Sequence, residues 1–231
     1  MPYEWLMFDA DNTLFDYEAA ERQALAQSFE QAELPYGPDV LVRYQQINAQ
    51  LWRDFEDGKT TVERVKVDRF AQLLSTLPVS EPPAPADFSA RYLLNLGDCT
   101  HLIPDAEFVL QQVGRRAHLA LITNGLAAVQ RSRLAKSALA DRFEAIIISE
   151  EIGVAKPDPR YFEIAFEQMG HPSKDMTLVI GDSLTSDMRG ANLYGVDGCW
   201  FNPDGRPRDP AVEVRYEIRC LRDLLGLIAG T

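Results

Sequence analysis

Basic residues are few in this 231-residue chain: 23 Lys and Arg stand against 35 Asp and Glu, a formal net charge of -12. A surface of that sign repels nucleic-acid backbone and anionic lipid. No basic run offsets it. The densest cluster, Arg206 to Arg208, is interrupted by Pro207 and followed by Asp209. A nucleic-acid polymer and a membrane are therefore not expected as partners. Cysteine is scarce too. Cys99, Cys199 and Cys220 lie far apart, form no CxxC pair and have no histidine at zinc spacing, so buried thiols in a reducing compartment are expected. No stretch is long and apolar enough to span a bilayer. Met1-Pro2-Tyr3-Glu4 carries neither a basic segment nor a signal core, which points to a cytoplasmic location. The chain has no GxSxG elbow, HExxH pair, P-loop or GxGxxG turn. His101, His118 and His171 are scattered, and a serine-histidine triad has little support.

What the chain does have is enough apolar material for a real core, with 46% hydrophobic and 10% aromatic residues. Five short apolar runs read as buried strands: Trp5–Phe8, Leu119–Ile122, Ala145–Ile148, Leu178–Ile180 and Cys199–Phe201. They alternate little, as parallel strands covered on both faces should. Helical stripes lie between them. Phe162, Ala165, Phe166 and Met169 form one, with Gly170 as its stop, and Leu221, Leu224, Leu225 and Ile228 form another. Pro104 suits a first helical position. Strand and helix alternating from about residue 100 predict a doubly wound parallel α/β sheet.

The segment from Asp16 to Leu96 breaks this pattern. Leu25, Phe29 and Ala32, then Val40, Tyr44, Ile47 and Leu51, then Val62, Val65, Phe70, Leu73 and Leu74 are spaced for helices. A proline-rich break (Pro78, Pro82, Pro83, Pro85) precedes a last segment around Tyr92 to Leu96. The expected organisation is a core of residues 1–15 and 97–231 with an all-helical insert, 16–96, above the first strand end. That is the geometry of a lid.

Candidate chemistry sits where strands end. Asp9-Ala10-Asp11-Asn12-Thr13 follows the first strand directly, at the edge where open α/β sheets place their sites. An extended backbone would point Asp9 and Asp11 to the same side. Thr123-Asn124-Gly125 ends the second strand and offers an oxyanion cradle, or else an N-cap with a turn glycine. Gly181-Asp182 and, a helical turn later, Asp187 add carboxylates. Acids gathered in that number suit a hard cation such as Mg²⁺, although Asp187 equally suits an N-cap. Lys156-Pro157 could supply a second positive charge for a phosphate; read singly, Lys156 is an ordinary surface lysine.

Taken in this order, the four elements resemble the haloacid dehalogenase-like (HAD) superfamily: DxDxT, a strand-end Thr, Lys-Pro, and GD followed by SD. The helical insert resembles that family's type 1 cap. Phe8 to Phe15, the insert segment Leu51 to Gly58, and Ile148 to Pro157 further resemble the bacterial pyrimidine 5′-nucleotidases of the superfamily. The resemblance implies an Asp9 nucleophile and an Asp11 general acid and base. It also implies Mg²⁺ held by Asp9, the Asp11 carbonyl, Asp182 and Asp187, with the phosphoryl group held by Thr123, Asn124, Gly125 and Lys156. The implied substrate is a small pyrimidine nucleotide. Trp52 and Phe55 could stack on its base and Tyr44 could line the same cleft, although aromatic residues at helical spacing are more often core. A monomer or homodimer is the expected assembly. The dehalogenases of the superfamily lack the second aspartate. A sugar phosphatase or phosphomutase is the alternative, since those use the same pair. A receiver-like signalling domain also gathers acids around Mg²⁺ but lacks the helical insert.

Overall fold

The computed structural model describes residues 3–229. Six strands form a single sheet in the order β3-β2-β1-β4-β5-β6. They are β1 (Trp5–Asp9), β2 (His118–Thr123), β3 (Ala145–Ile148), β4 (Thr177–Gly181), β5 (Asp197–Phe201) and β6 (Tyr216–Ile218). Every pairing is parallel. All five expected strands are present, each extended by no more than two residues. The sixth was not foreseen. It is only three residues long with Glu217 at its centre, too short and too polar to stand out as an apolar run.

Alternation along the strands decides the two faces of the sheet. Leu6, Phe8, Leu121, Leu178, Ile180 and Cys199 face one apolar layer, which α5 (Ala106–Val113) and α10 (Asp223–Ala229) cover. Met7, Ala120, Ile122, Ile147, Val179 and Trp200 face the other, under α8 (Pro159–Gln168) and α9 (Arg189–Tyr194). Two local expectations change. α5 begins at Ala106 rather than Pro104, because Asp105 takes a left-handed conformation (φ 66°) that a helix cannot contain. Cys99 and Cys199 are buried thiols, but Cys220 is exposed.

Between β1 and α5 lie four helices: α1 (Tyr17–Gln31), α2 (Pro38–Glu56), α3 (Val62–Leu74) and α4 (Pro85–Asp98). They bury a core of their own, centred on Phe29, Tyr44, Phe70, Phe88 and Tyr92. Those rings pack edge-on, tilted or stacked at centroid separations of 5.0–5.5 Å, the range of favourable aromatic pairs. Asp16 caps α1 by accepting from the Ala19 N–H at 2.9 Å. The two connections to the sheet run side by side: Asp16 N–H donates to His101 O and Ile103 N–H to Leu14 O, each at 2.9 Å. The insert is therefore a helical cap on paired stalks.

Candidate active site

Strand order places the site. β1 lies between β2 and β4, so the chain winds one way from β1 and then the other. A crevice opens at such a switch point, outside the carboxyl ends of the strands. Thr123 is the last residue of β2, Asp9 the last of β1, and Asp182 the first after β4. Three neighbouring strands thus deliver a hydroxyl and two carboxylates to one edge. Asp187 joins them from a single wide helical turn, Leu184–Met188. It does not cap that turn; Ser183 does, accepting from Ser186 N–H at 3.2 Å. Gly181 is the reason Asp187 fits. A Cβ at that position would lie 2.3–2.7 Å from the Asp187 carboxylate and its Cβ, closer than any side chain tolerates.

Lys156 is 1% exposed, far from an ordinary surface lysine. Its ammonium donates to Asp9 Oδ1 at 2.7 Å, to Asp187 Oδ1 at 2.6 Å and to the Ile122 carbonyl at 3.1 Å. Burial opposes its charge, yet Asp187 and Asp9 prevail and hold its pKa above the usual lysine range. Burial raises Asp9 well above the usual carboxylate range; Lys156 opposes that rise, while Asp187 and Asp182 add to it. Asp182 is pushed up to about 7, first by burial and then by Asp187, against Arg206 and Lys156. Asp9, Asp182 and Asp187 each offer an oxygen, and these lie within 4.8 Å of one another. Three carboxylates and one ammonium leave two negative charges. An all-oxygen donor set with that residual charge fits one hard divalent ion.

This gives a pH prediction for the metal-free protein. A carboxyl that holds its proton more tightly when folded contributes stability below its unfolded pKa. That contribution is lost as pH rises through the folded value. For Asp182 the window runs from about 4 to about 7. Thermal melts in chelator should show wild type losing stability relative to Asp182→Asn between pH 5 and pH 8, by on the order of 2–4 kcal/mol. A difference independent of pH would remove this account of Asp182.

Asp11 does not follow an extended path. The chain turns after β1, with Asn12 left-handed (φ 61°) and Phe15 N–H donating to Ala10 O at 2.9 Å. The Asp11 side chain therefore diverges from Asp9 toward α6 (Ala127–Lys136). There it accepts from Gln130 Nε2 at 2.7 Å and pairs with Arg133 Nη1. Arg133 is fully buried, with its guanidinium 4.4 Å from the Phe15 ring centre. Gly125 leaves room for this arrangement, since a Cβ there would meet Gln130 Nε2 at 2.2 Å. Neither Gln130 nor Arg133 was anticipated. The available signal was Arg133 standing one turn after Val129, on a stripe that should be apolar.

The Thr123-Asn124-Gly125 segment serves mainly to position its neighbours. The Asn124 amide accepts from Lys156 N–H and donates to Lys156 O, both at 2.9 Å. Gly125 N–H donates to Thr123 Oγ1 at 2.9 Å. The Asn124 side chain and the Gly125 N–H are thus engaged, and the Thr123 hydroxyl keeps its own proton to donate.

A cavity of about 260 Å³ runs from these groups up into the helical insert. Its walls include Asp9, Asp11, Thr123, Lys156, Asp182 and Asp187 below, and Tyr17, Trp52, Glu56 and Arg69 above. Of the three aromatic candidates only Trp52 lines it. Phe55 packs edge-on to Trp52 at 5.6 Å but lines a second groove. Tyr44 is fully buried in the insert's core, stacked on Phe70. Helical spacing could not separate these three, because a surface stripe and a core stripe share a period.

Such a sheet, with acids and a buried lysine at its carboxyl edge beneath a helical insert, defines a class of capped α/β hydrolases. The chain belongs to the haloacid dehalogenase-like hydrolases, whose family model matches residues 3–195. It is 38% identical to Bacillus subtilis YfnB, over 98% of this chain and 95% of YfnB. A structure of YfnB bound to magnesium superposes with a TM-score of 0.92, at 37% identity and covering 99% of each chain. The pyrimidine 5′-nucleotidase YjjG of Escherichia coli is 30% identical over 99% of both chains. The pyrimidine 5′-nucleotidase PynA of Streptococcus pneumoniae is 33% identical over 99% of this chain and 96% of its own. No helix among the described residues is long and apolar enough to cross a membrane.

Proposed function

We propose that this protein is a Mg²⁺-dependent phosphatase that hydrolyses pyrimidine nucleoside 5′-monophosphates of the dUMP, dTMP and UMP type. The observation that carries the chemistry is Asp9. Its Oδ1 is fixed by Lys156, while Oδ2 has no hydrogen bond among the described residues, and the residue lines the cavity. A fixed carboxylate with one free oxygen is poised to attack phosphorus. The nucleotide reading draws on the two pyrimidine 5′-nucleotidases similar over the whole chain, and on a cavity that Trp52 helps to line.

The Asp9 oxygen forms the new bond to phosphorus as the ribose O5′ leaves. Asp11 gives O5′ its proton, so a free nucleoside departs and an aspartyl-phosphate stays. Asp11, now ionised, takes a proton from water, and the water oxygen attacks phosphorus. Phosphate leaves, Asp9 is regenerated and Asp11 is again protonated. Asp11 must exchange its Gln130 and Arg133 partners for substrate to do this, and acid–base help of this kind is worth on the order of 10²–10⁴-fold. Lys156 and the Thr123 hydroxyl stabilise the charge on the phosphoryl oxygens. Asp9, the Asp11 carbonyl and Asp182, with Asp187 beside them, would hold Mg²⁺, which would supply neutralisation of the phosphate dianion against the incoming carboxylate.

Phosphate release from a panel of deoxyribo- and ribonucleoside monophosphates and sugar phosphates tests this reading. Pyrimidine nucleotides should lead purine nucleotides and sugar phosphates, chelator should abolish turnover, and Mg²⁺ should restore it. Faster hydrolysis of sugar phosphates overturns the nucleotide assignment. Undiminished rates in chelator overturn the metal.

A further inference from the structure

Arg69 lines the cavity, and the phosphatase chemistry leaves its charge unexplained. It sits in the middle of α3, one turn after Val65 and one before Leu73, and is 1% exposed. A buried guanidinium normally has every donor matched. Here Nη1 donates to Tyr44 Oη and to Asn48 Oδ1, each at 3.2 Å, but Nε and Nη2 have no partner among the described residues. Those two nitrogens form one edge of the guanidinium plane, and their N–H bonds run side by side as a two-pronged donor. The same residue lines the cavity that holds Asp9 and Lys156. An unmatched donor pair at that depth costs stability unless a ligand completes it.

The surroundings select the kind of ligand. Asn48 bridges Arg69 to a counter-charge: its Oδ1 accepts from Arg69, and its Nδ2 donates to Glu21 Oε1 at 3.1 Å. Glu21 is itself buried, with its pKa raised by that burial. The guanidinium thus already has a carboxylate within one side chain. The free edge calls for an uncharged acceptor rather than a second anion. Aromatic rings flank it, with Phe70 and Tyr92 each 5.0 Å from Arg69 Cζ. A flat, neutral group rich in carbonyl oxygen answers that description.

Resting on the nucleotide reading above, we propose that Arg69 reads the base: its Nε and Nη2 protons bind a ring carbonyl of the pyrimidine while the 5′-phosphate lies at Asp9. Tyr44, one of the aromatic residues picked out by spacing, then acts from the core by fixing Nη1.

The test compares dUMP with deoxyribose 5-phosphate, which has no base, in wild type, Arg69→Met and Arg69→Lys. Both variants should lose about 10- to 100-fold in kcat/KM on dUMP and less than about 3-fold on the base-free ester. Lysine should not rescue, because it keeps the charge without the two-pronged edge. Wild type indifferent to the base sinks the nucleotide reading itself. Wild type selective with variants equally selective overturns Arg69 alone, as does an equal loss on both esters. Should neither variant fold, the 2-thio and 4-thio analogues of dUMP decide with wild type, since sulfur accepts hydrogen bonds weakly. One of them should fall by about 5-fold or more, and parity of both with dUMP overturns the assignment.

Discussion

Asp9→Asn is expected to reduce phosphate release from the preferred nucleotide by at least ~10⁴-fold, the scale on which loss of a nucleophile acts. The fold should survive, and thermal stability should stay level or rise. Asparagine keeps the shape and can still accept from Lys156 through its amide oxygen, so the 2.7 Å contact has a substitute. What vanishes is the charge, which burial and the neighbouring acids already disfavour. An amide has no anionic oxygen to attack phosphorus. Turnover within about tenfold of wild type would mean that some other group attacks, a far smaller loss than removal of a nucleophile causes.

Lys156→Met has the next largest effect and acts on stability as well as rate. Methionine fills the volume but leaves Asp9 and Asp187 facing each other with their shared ammonium gone. The Ile122 carbonyl loses a donor too. Breaking a buried ion pair from one side costs about 3–5 kcal/mol, which lowers the melting temperature by roughly 6–20 °C in a chain of this size. Excess Mg²⁺ should return more stability to this variant than to wild type, because the ion then meets a site with one more unbalanced negative charge. Turnover should fall by about 10²–10³-fold even with Mg²⁺ present, the usual effect of removing one preorganised stabiliser of transition-state charge. A variant that melts with wild type would show that the ammonium is not what holds the acids together.

The contrast between Lys156 and Tyr44 shows how far reading residues could go. Lys156 came to notice because it precedes a proline beside a strand end, yet nothing in its neighbours separates a surface lysine from a buried one. Its 1% exposure follows from Asn124, thirty-two positions earlier, clamping its backbone. Tyr44 and Phe55 fell on helical stripes near the expected lid, and both stripes are real. Which side of α2 faces the cavity depends on how α3 and α4 pack, and one element's periodicity does not carry that. Arg69 and Arg133 went unnoticed for the converse reason. Each is a charge set in an apolar stripe, which looks like an imperfect helix until its partners on other helices are known.

By itself the sequence determined the layers: continuous apolar strands need cover on both faces, and a long helical stretch with no strand cannot join the sheet. It also determined which acids end strands, since Asp9 directly follows one apolar run and Asp182 follows another across Gly181. Tertiary structure alone decided the charge balance. The pairing of Lys156 with two acids, the hold of α6 on Asp11 and the free edge of Arg69 each join residues from separate elements. Electrostatic energy depends on distance in space and on burial, and order along the chain specifies neither.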